Sequence, residues 1–341
     1  MKKVAIADFG FGFVGRWKEI LREQNHDFLE VDFFSNDLLV DLEKSRVEVF
    51  LTHIPMDNEA IKKFAISIIK SIEIMGIKAF PSSADVLHFD DKVAQKYIFD
   101  ALKIPSPKTD VFFDSGVARR SLKHGVYPMV FKLRSGAGSV NVKKIRSYNE
   151  SRRLISTMFS GGMRSTHAML SDMQHKVRLH KRNKSVLDVI SRLPRIFEIW
   201  ARNFFRVQKE RDYFYCQEML ADNLFDIRVT VVGEKAFVFR RWNRDDDFRA
   251  SGSGYIDYEY HELFPKCIGL AFEASRKLGA VCMAYDYLLD TTGEPVCIEM
   301  SFGFQSEAVY KCGGFWNTKI EWHEGALWPE QAILEALGLI K

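Results

Sequence analysis

Residues 281–301 constrain the fold of this chain more than any other stretch. Two apolar runs flank a polar turn that contains Gly293, a pattern that predicts a β-hairpin. With the turn centred on the Thr-Gly pair, Asp286 faces Glu299 across the two strands. The Cβ atoms of such opposed residues lie about 4.5–5.5 Å apart, where like charges repel and weaken the sheet. A divalent cation between the carboxylates would remove the repulsion, and Mg²⁺ prefers oxygen ligands.

The same register predicts which apolar residues meet on the two strands. It pairs Tyr285 with Met300, Tyr287 with Ile298 and Leu289 with Val296. The alternative is a register shifted by one residue, which would turn one of the two carboxylates toward solvent and leave no metal site.

The composition excludes several classes of protein. The 341 residues suffice for about two or three domains, and 47% of them are hydrophobic, as in ordinary globular proteins. A formal net charge of +4 is too small to indicate nucleic-acid binding. The five cysteines are odd in number and widely spaced, which favours reduced thiols over disulfides or a zinc site. Without a signal peptide or an apolar run of about 20 residues, we expect a cytoplasmic protein.

The first 88 residues alternate between strand-like and helical segments, which predicts a small parallel sheet covered by helices. The first strand is followed by Gly-Phe-Gly-Phe-Val-Gly at residues 10–15. This matches the G-x-G-x-x-G pattern of dinucleotide-binding turns, and Asp32 stands near the position of a ribose-binding acid. The alternative is a turn that uses glycine for close helix packing and binds no cofactor. Because the pattern is short and often arises by chance, the packing alternative is favoured.

Two lysines stand where a cation is unexpected. Lys92 lies in the first turn of a helix predicted to run from Asp90 to Leu102, where a positive charge opposes the helix dipole unless an anionic group is near. Lys132 lies in an apolar strand that leads into the small-residue loop 135–139. Such a loop can direct its backbone N–H groups at phosphates. A flexible hairpin tip beside a snorkelling lysine is the alternative.

The segment 161–212 is basic and is predicted to contain helices. Residues 176–212 carry eleven Lys and Arg against four Asp and Glu, and apolar residues recur there at helical spacing. Three interpretations remain open. The segment is a charged face over a core stripe, or a contact between the subunits of a homodimer, or a surface (176–211) that meets a membrane or a lipid-linked glycan.

Further charged residues mark the ends of strands in the second half of the chain. A predicted strand reaches Glu218, and a hairpin turning at Gly233 carries Asp226, Arg228 and Arg241 at its outer ends. Arg249 follows in a stretch that begins with three aspartates and ends rich in Gly and Ser. That stretch is either a plain loop or a lid over an anion.

Taken in order, these features resemble the ATP-grasp superfamily, which uses ATP to join a carboxylate to an amine or a similar nucleophile. The resemblance covers roughly residues 90–301. It implies an α/β (α+β) fold of three parts. These are a Rossmann-like domain (1–88), a central subdomain (89–222) with the helical insertion 161–212, and a C-terminal subdomain (223–341) with the metal-binding hairpin.

The resemblance also implies ATP and Mg²⁺ as cofactors and gives roles to matching positions. It implies that the lysines and the small-residue loop hold the phosphates, that a hinge contacts adenine and that an acid binds ribose. In that order, these nucleotide-binding residues are Lys92, Lys132, Ser135, Gly136, Gly138, Ser139, Glu218, Met219, Leu220 and Asp226. Cations near the γ-phosphate and the acceptor are supplied by Arg228, Arg241 and Arg249. The metal ligands are Asp286, Glu299 and Ser301.

Two departures from the family pattern matter. Ser301 stands where relatives have asparagine, which puts a second metal ion in question. Lys132 and Glu218 are 86 residues apart, more than most relatives use, because the basic segment is inserted between them. The stretches 247–254, 299–304 and 322–325 resemble a bacterial subgroup associated with surface-polysaccharide biosynthesis, which implies a sugar-acid or aminosugar substrate.

The reaction implied by the resemblance is an ADP-forming ligation through an acyl phosphate. Its substrates would be a carboxylate and an amine, either small molecules or glycans, with no nucleic acid involved. Two other functions stay open. One is an NAD-dependent sugar oxidoreductase built on the glycine turn, and the other is a nucleotide-binding scaffold without catalysis.

Overall fold

The computed structural model describes residues 2–55, 59–136, 141–164, 209–220, 222–243 and 254–341. Within these ranges the strands form two four-stranded sheets, one seven-stranded sheet and a two-stranded ribbon. Every helix in the described ranges falls short of the length and apolar character that a membrane span requires.

The N-terminal sheet is parallel throughout and has the order β2-β1-β3-β4, as the alternating pattern predicts. Its strands are β1 Val4–Ala7, β2 Phe28–Val31, β3 Val49–Thr52 and β4 Lys78–Phe80. The helices beside it are α1 Val14–Glu23, α2 Leu38–Lys44, α3 Glu59–Ile74 and α4 Ser83–His88. β1 is buried along its whole length. Its alternate residues belong to two separate apolar clusters, because both faces of the sheet are covered.

The central sheet is antiparallel, in the order β5-β10-β6-β7. Its strands are β5 Thr109–Phe112, β6 Met129–Lys132, β7 Val142–Ile145 and β10 Phe214–Glu218, and the separate ribbon consists of β8 Met163–Arg164 and β9 Lys209–Glu210. The accompanying helices are α5 Lys92–Leu102, α6 Ser115–Leu122 and α7 Tyr148–Met158. Each of these helices starts at a side-chain cap, as where Asp91 accepts the N–H of Ala94 at 2.9 Å.

The C-terminal sheet has the order β15-β14-β11-β12-β16-β17, with β13 paired to β12. Its strands are β11 Phe225–Val232, β12 Lys235–Trp242, β13 Ile256–Asp257, β14 Cys282–Leu289, β15 Pro295–Ser301, β16 Gly314–Asn317 and β17 Trp322–Glu324. The helices here are α8 Phe264–Leu278, α9 Ser306–Tyr310 and α10 Pro329–Ala336. α8 packs its apolar face on this sheet and ends at Gly279, whose φ of +65° suits a left-handed helix cap.

The hairpin at residues 281–301 forms as predicted, and its register is correct where the charges are. Asp286 pairs with Glu299, and Tyr285 pairs with Met300. The two carboxylates predicted to face each other are therefore cross-strand neighbours.

Nearer the turn the predicted register is wrong. Tyr287 pairs with Cys297 rather than Ile298, and Leu289 pairs with Pro295 rather than Val296. The turn is centred on Thr292 alone, because Asp290 donates its N–H to the carbonyl of Glu294 at 2.9 Å. Ile298 is then an extra residue on β15, a β-bulge that restores the register at the carboxylates.

Candidate active site

Three charged residues of the C-terminal sheet share one cross-strand row. Arg228 on β11 lies opposite Asp286 on β14, and Asp286 lies opposite Glu299 on β15. Directly opposed residues project to the same face of a sheet. The register alone therefore brings two of the three predicted metal ligands and one predicted phosphate-binding cation together.

The carboxylate of Asp286 is bound by two arginines. Arg228 donates from Nε and Nη2 to the two carboxylate oxygens at 2.6 and 2.7 Å, and Nη2 of Arg241 lies 2.7 Å from Oδ2. Asp286 is only 3% exposed. Burial by itself would raise the pKa of Asp286, but the two guanidinium groups outweigh it and hold that pKa well below its ordinary value. Asp286 is therefore ionised across the physiological pH range.

A second buried ion pair lies beside the first. Asp226 and Arg241 are opposed on β11 and β12, and Arg241 donates from Nε and Nη2 to the two oxygens of Asp226 at 2.7 and 2.6 Å. Burial and the nearby negative charge of Asp286 both raise the pKa of Asp226. The positive charge of Arg241 lowers it but does not outweigh them. Arg241 thus bridges two aspartates. The ribose role of Asp226 and the phosphate role of Arg241 stay predictions.

Glu299 is the more accessible of the two opposed carboxylates. Its side chain is 29% exposed, and Nζ of Lys92 lies 3.5 Å from its Oε1. The same Nζ donates to the carbonyl of Gly136 at 2.8 Å. Burial lowers the pKa of Lys92, but Glu299 and Asp90 outweigh burial and raise it. These two carboxylates are the anionic neighbours expected for a lysine in the first turn of α5.

Lys132 is buried at the end of β6 with its charge poorly balanced. Its Nζ donates to Oε1 of Gln217 at 2.7 Å, and Gln217 in turn donates to Oγ1 of Thr109 at 2.9 Å. Burial lowers the pKa of Lys132 to about 8, and the nearby charge of Glu299 only partly opposes this. An anion that entered the site would therefore raise the pKa of Lys132 and gain a strong ionic contact.

The predicted phosphate loop is described only at its entry. Ser135 donates its N–H and its hydroxyl to Glu210, and Gly136 donates its N–H to Asp90 at 2.8 Å. Carboxylates of the protein therefore take the N–H groups that were expected to face phosphate at these two positions. The predicted residues Gly138, Ser139 and Arg249 lie outside the described residues, as does most of the basic segment, 165–208.

The predicted adenine hinge follows β10. Glu218 is exposed and its N–H donates to the carbonyl of Lys108 at 2.8 Å, while Met219 and Leu220 are half-buried. This placement beside the central sheet leaves the contact with adenine a prediction.

Ser301 lies two residues beyond Glu299 and therefore on the same face of β15. Its hydroxyl donates to the carbonyl of Gly303 at 2.8 Å and accepts the N–H of Gly303 at 3.1 Å. These bonds close a local turn after the strand. Ser301 as a metal ligand stays a prediction, and it would have to share its hydroxyl with this turn.

The carboxylates fit an Mg²⁺ ion that is shared with a nucleotide. Mg²⁺ is usually bound by one or two carboxylates, with phosphates and waters as its other ligands. Glu299 is partly open, and Asp286 uses one lone pair of Oδ1 and two of Oδ2 for the arginines, which leaves one on Oδ1. Among the described residues, no group of three or more His, Cys, Asp and Glu side chains is arranged to hold a metal. Phosphate oxygens and waters would complete the coordination of such an ion.

The glycine turn after β1 is shaped by packing. Gly12 has a φ of +71°, and a Cβ there would lie 2.4 Å from the ring of His53. A Cβ on Gly15 would meet nothing within 4 Å, so the third glycine is not needed for close helix packing. Asp32 is exposed and accepts the N–H of Phe34 at 3.0 Å. Gly12 is thus required by its contact with His53, whereas Gly15 lacks the close packing that the alternative expects, and the dinucleotide interpretation stays a prediction.

Sequence reasoning missed the residues that hold the predicted ones in place. Gln217 binds Lys132, and Glu210 and Tyr213 bind the loop entry. Asp91 caps α5, whereas its neighbour Asp90 binds the loop entry. The available signal was a polar side chain in an otherwise apolar strand, as at Gln217, because such a group needs a buried partner.

The chain superposes along its length on solved ATP-grasp structures. It matches N5-carboxyaminoimidazole synthase from Aspergillus clavatus, solved with ADP and 5-aminoimidazole ribonucleotide, at 12% identity and TM-score 0.59, covering 100% of this chain and 77% of that one. A RimK-domain ATP-grasp protein from Sphaerobacter thermophilus matches at 12% identity and TM-score 0.56, covering 100% and 99%.

A third match carries the nucleotide and the metal together. The biotin carboxylase domain of 2-oxoglutarate carboxylase from Hydrogenobacter thermophilus, solved with MgADP and bicarbonate, matches at 14% identity and TM-score 0.56, covering 99% of this chain and 70% of that one. No protein-family model matches the sequence, and no curated protein does. At these identities the similarity shows the fold alone. The chain has the ATP-grasp fold, as the sequence resemblance implies.

Proposed function

We propose that this protein is an ATP-dependent ligase that joins a carboxylate to an amine and releases ADP and phosphate. The observation that carries the proposal is the charge arrangement around Glu299. This half-open carboxylate lies opposite Asp286 and 3.5 Å from Lys92, with the buried cation of Lys132 nearby. Two carboxylates can share a divalent cation, and the phosphates of a nucleotide would supply the anion that the buried Lys132 lacks.

The fold supports ATP and Mg²⁺ as the cofactors. Two of the three matching structures described above were solved with ADP, one of them as MgADP, and we assign the same ligands to this chain. Glu299 and Asp286 would hold Mg²⁺, and when bound it would neutralise charge on the transferred phosphoryl group. Lys92 and Lys132 would bind the phosphates directly.

The proposed chemistry has two balanced steps. An oxygen of the substrate carboxylate forms a bond to the γ-phosphorus of ATP, and the bond from that phosphorus to the β-phosphate oxygen breaks to release ADP. The amine nitrogen then attacks the acyl carbon, the carbon–oxygen bond to phosphate breaks to release inorganic phosphate, and the proton lost by the nitrogen passes to solvent. A carboxylate alone does not react with an amine, because its leaving group is poor, and phosphorylation supplies a good one. Lys92 and Lys132 stabilise charge that builds up on the phosphoryl oxygens.

The two described arginines take different parts in this proposal. The side chain of Arg228 is 20% exposed and binds Asp286 through Nε and Nη2, which leaves Nη1 for an anionic group of the substrate. The side chain of Arg241 is 9% exposed and bridges two aspartates, so we assign it the positioning of Asp286 in place of the phosphate role that the resemblance implies.

The substrate class is the narrower part of the proposal. A sugar acid joined to an amine, or an acid joined to an aminosugar, rests on the sequence resemblance to the polysaccharide-associated subgroup. Contact with a membrane or a lipid-linked glycan through 176–211, and a homodimer, rest on the composition of the basic segment. ADP release with a panel of sugar acids, amino acids and aminosugars tests the substrate class directly.

The central test is the variant Glu299→Gln. It removes the open carboxylate while keeping its shape, so we expect loss of Mg²⁺-dependent ADP release with an unchanged circular dichroism spectrum. Glu294→Gln is the matched control, because this glutamate lies in the turn of the same hairpin and pairs only with the exposed Lys266 among the described residues. Normal turnover in Glu299→Gln, or equal loss in both variants, would reject the assignment.

Thermal shifts separate this proposal from the two other functions. We expect a Mg²⁺-dependent shift with ADP and none with NAD. A shift with NAD alone would favour the oxidoreductase. Nucleotide binding without phosphate release on any acid and amine pair would favour a scaffold.

A further inference from the structure

We infer that Glu210 is a positioning residue for the phosphate-binding loop. The inference rests on the proposed nucleotide function, and it concerns a residue that the family resemblance does not mark. Glu210 lies on β9, which pairs with β8 in the two-stranded ribbon beside the central sheet. Its carboxylate reaches out of that ribbon to the entry of the loop, 75 residues earlier in the chain.

Four donors converge on this one carboxylate. Oε2 accepts the N–H of Arg134 at 2.8 Å and the hydroxyl of Tyr213, while Oε1 accepts the N–H of Ser135 at 3.2 Å and its hydroxyl. The N–H of Arg134 also lies 2.6 Å from the hydroxyl oxygen of Tyr213. Only an ionised carboxylate offers acceptors to all four donors, since an amide would present N–H groups to two of them.

The other polar backbone groups of the loop entry are bound by residues other than Glu210. The carbonyl of Arg134 accepts the N–H of Lys92 at 2.9 Å, and that of Gly136 accepts Nζ of Lys92 at 2.8 Å. The carbonyl of Ser135 accepts Nδ2 of Asn141 at 3.1 Å. With the N–H of Gly136 bound to Asp90, every backbone N–H and carbonyl of residues 134–136 has a partner.

This arrangement fixes residues 134–136, the entry of the loop, before any nucleotide arrives. Two of the three N–H groups of the loop entry end on Glu210, so losing its charge would free the start of the loop while leaving Lys92 and the central sheet in place. Preorganisation lowers the entropy cost of binding a ligand. The resemblance assigns the phosphates to this loop, so the effect should fall on them and spare the adenosine part of the nucleotide.

The two strands of the ribbon lie close together at Glu210. A Cβ on Gly162, which has a φ of +68°, would lie 2.6 Å from the carbonyl oxygen of Glu210. The close approach of the two strands at Glu210 therefore requires glycine at residue 162. A positioning group must itself be held in place, and the pairing of β8 with β9 serves this.

The experiment compares the affinities of MgADP and adenosine, measured by calorimetry, in Glu210→Gln. We expect MgADP to bind at least about tenfold more weakly, with adenosine changed less than about twofold. Tyr213→Phe should act in the same direction by a smaller factor. The effects of the two variants should not be additive, because both act on the N–H of Arg134.

Glu73→Gln is the matched control. Glu73 also accepts the N–H and hydroxyl of one serine, Ser83, at 2.7 and 2.6 Å, but it does so in the N-terminal unit. Unchanged MgADP affinity in Glu210→Gln, or an equal loss for MgADP and adenosine, would overturn the inference. Failure of the wild-type protein to bind MgADP would instead reject the proposed function.

Discussion

The strongest structural prediction concerns Asp286. Replacing it with asparagine keeps its shape and removes the charge that Arg228 and Arg241 share. Three N–H groups point at this carboxylate, and both guanidinium groups are largely buried. Breaking a buried ion pair by removing one partner costs about 3–5 kcal/mol. Because Arg241 keeps its two bonds to Asp226, we expect the lower end, a loss of about 3 kcal/mol in the free energy of unfolding.

The assay is urea denaturation of Asp286→Asn and wild type, followed by circular dichroism at pH 7. The pH dependence supplies a second check. The folded-state pKa of Asp286 lies below its unfolded value, so its contribution to stability is complete above pH about 4. As the pH falls from about 4 toward the folded-state pKa of Asp286, the difference in the free energy of unfolding between Asp286→Asn and wild type should shrink.

Glu299→Gln serves as the control for the same experiment. The Glu299 side chain is 29% exposed and makes its ion pair at 3.5 Å, so the loss of its charge should cost less than about 1 kcal/mol. A cost below about 1 kcal/mol for Asp286→Asn, or equal costs for the two variants, would refute the view that the arginines hold Asp286.

Two further predictions follow from the site and the glycine turn. Since burial lowers the pKa of Lys132 to about 8, the affinity for MgADP should fall as the pH rises above 8, and calorimetry should show a flat profile for Lys132→Arg over the same range. The stability of the protein without nucleotide should change in the opposite direction. Between pH 8 and about 10.4, Lys132 is more protonated in the unfolded state than in the native state. Its contribution to the free energy of unfolding therefore rises with pH. Gly12→Ala should lower the free energy of unfolding by about 1–3 kcal/mol, because its Cβ would collide with His53 and its φ is +71°. Gly15→Ala should raise the free energy of unfolding by up to about 1 kcal/mol. Equal changes for the two variants in thermal denaturation would contradict the packing role of Gly12.

The cross-strand row explains why two like charges persist on neighbouring strands. Asp286 and Glu299 repel each other, but Arg228 extends the row on one side and Lys92 approaches from α5 on the other. Each carboxylate therefore has a cation of its own. The protein's own cations therefore stabilise the two opposed carboxylates. Folding does not require a metal there, and a metal would be needed only for binding the nucleotide.

The sequence by itself determined the alternation of strands and helices in the first 88 residues, the hairpin that turns at Gly233 and the pairing of Asp286 with Glu299. Period-two and helical patterns depend on neighbours a few residues apart, and a hairpin joins strands that are adjacent in the chain. The bulge at Ile298 escaped detection, because a three-residue turn and an extra strand residue cancel each other at the carboxylates.

Only the tertiary structure decided which groups hold the site together. Glu210 meets Ser135 across 75 residues, and Lys132 meets Gln217 across 85, so no local pattern could pair them. Donors and acceptors in a protein interior find partners wherever the fold brings them, since leaving one unpaired is costly. The identity of the charged residues is written in the sequence, but their partners depend on how the three sheets pack.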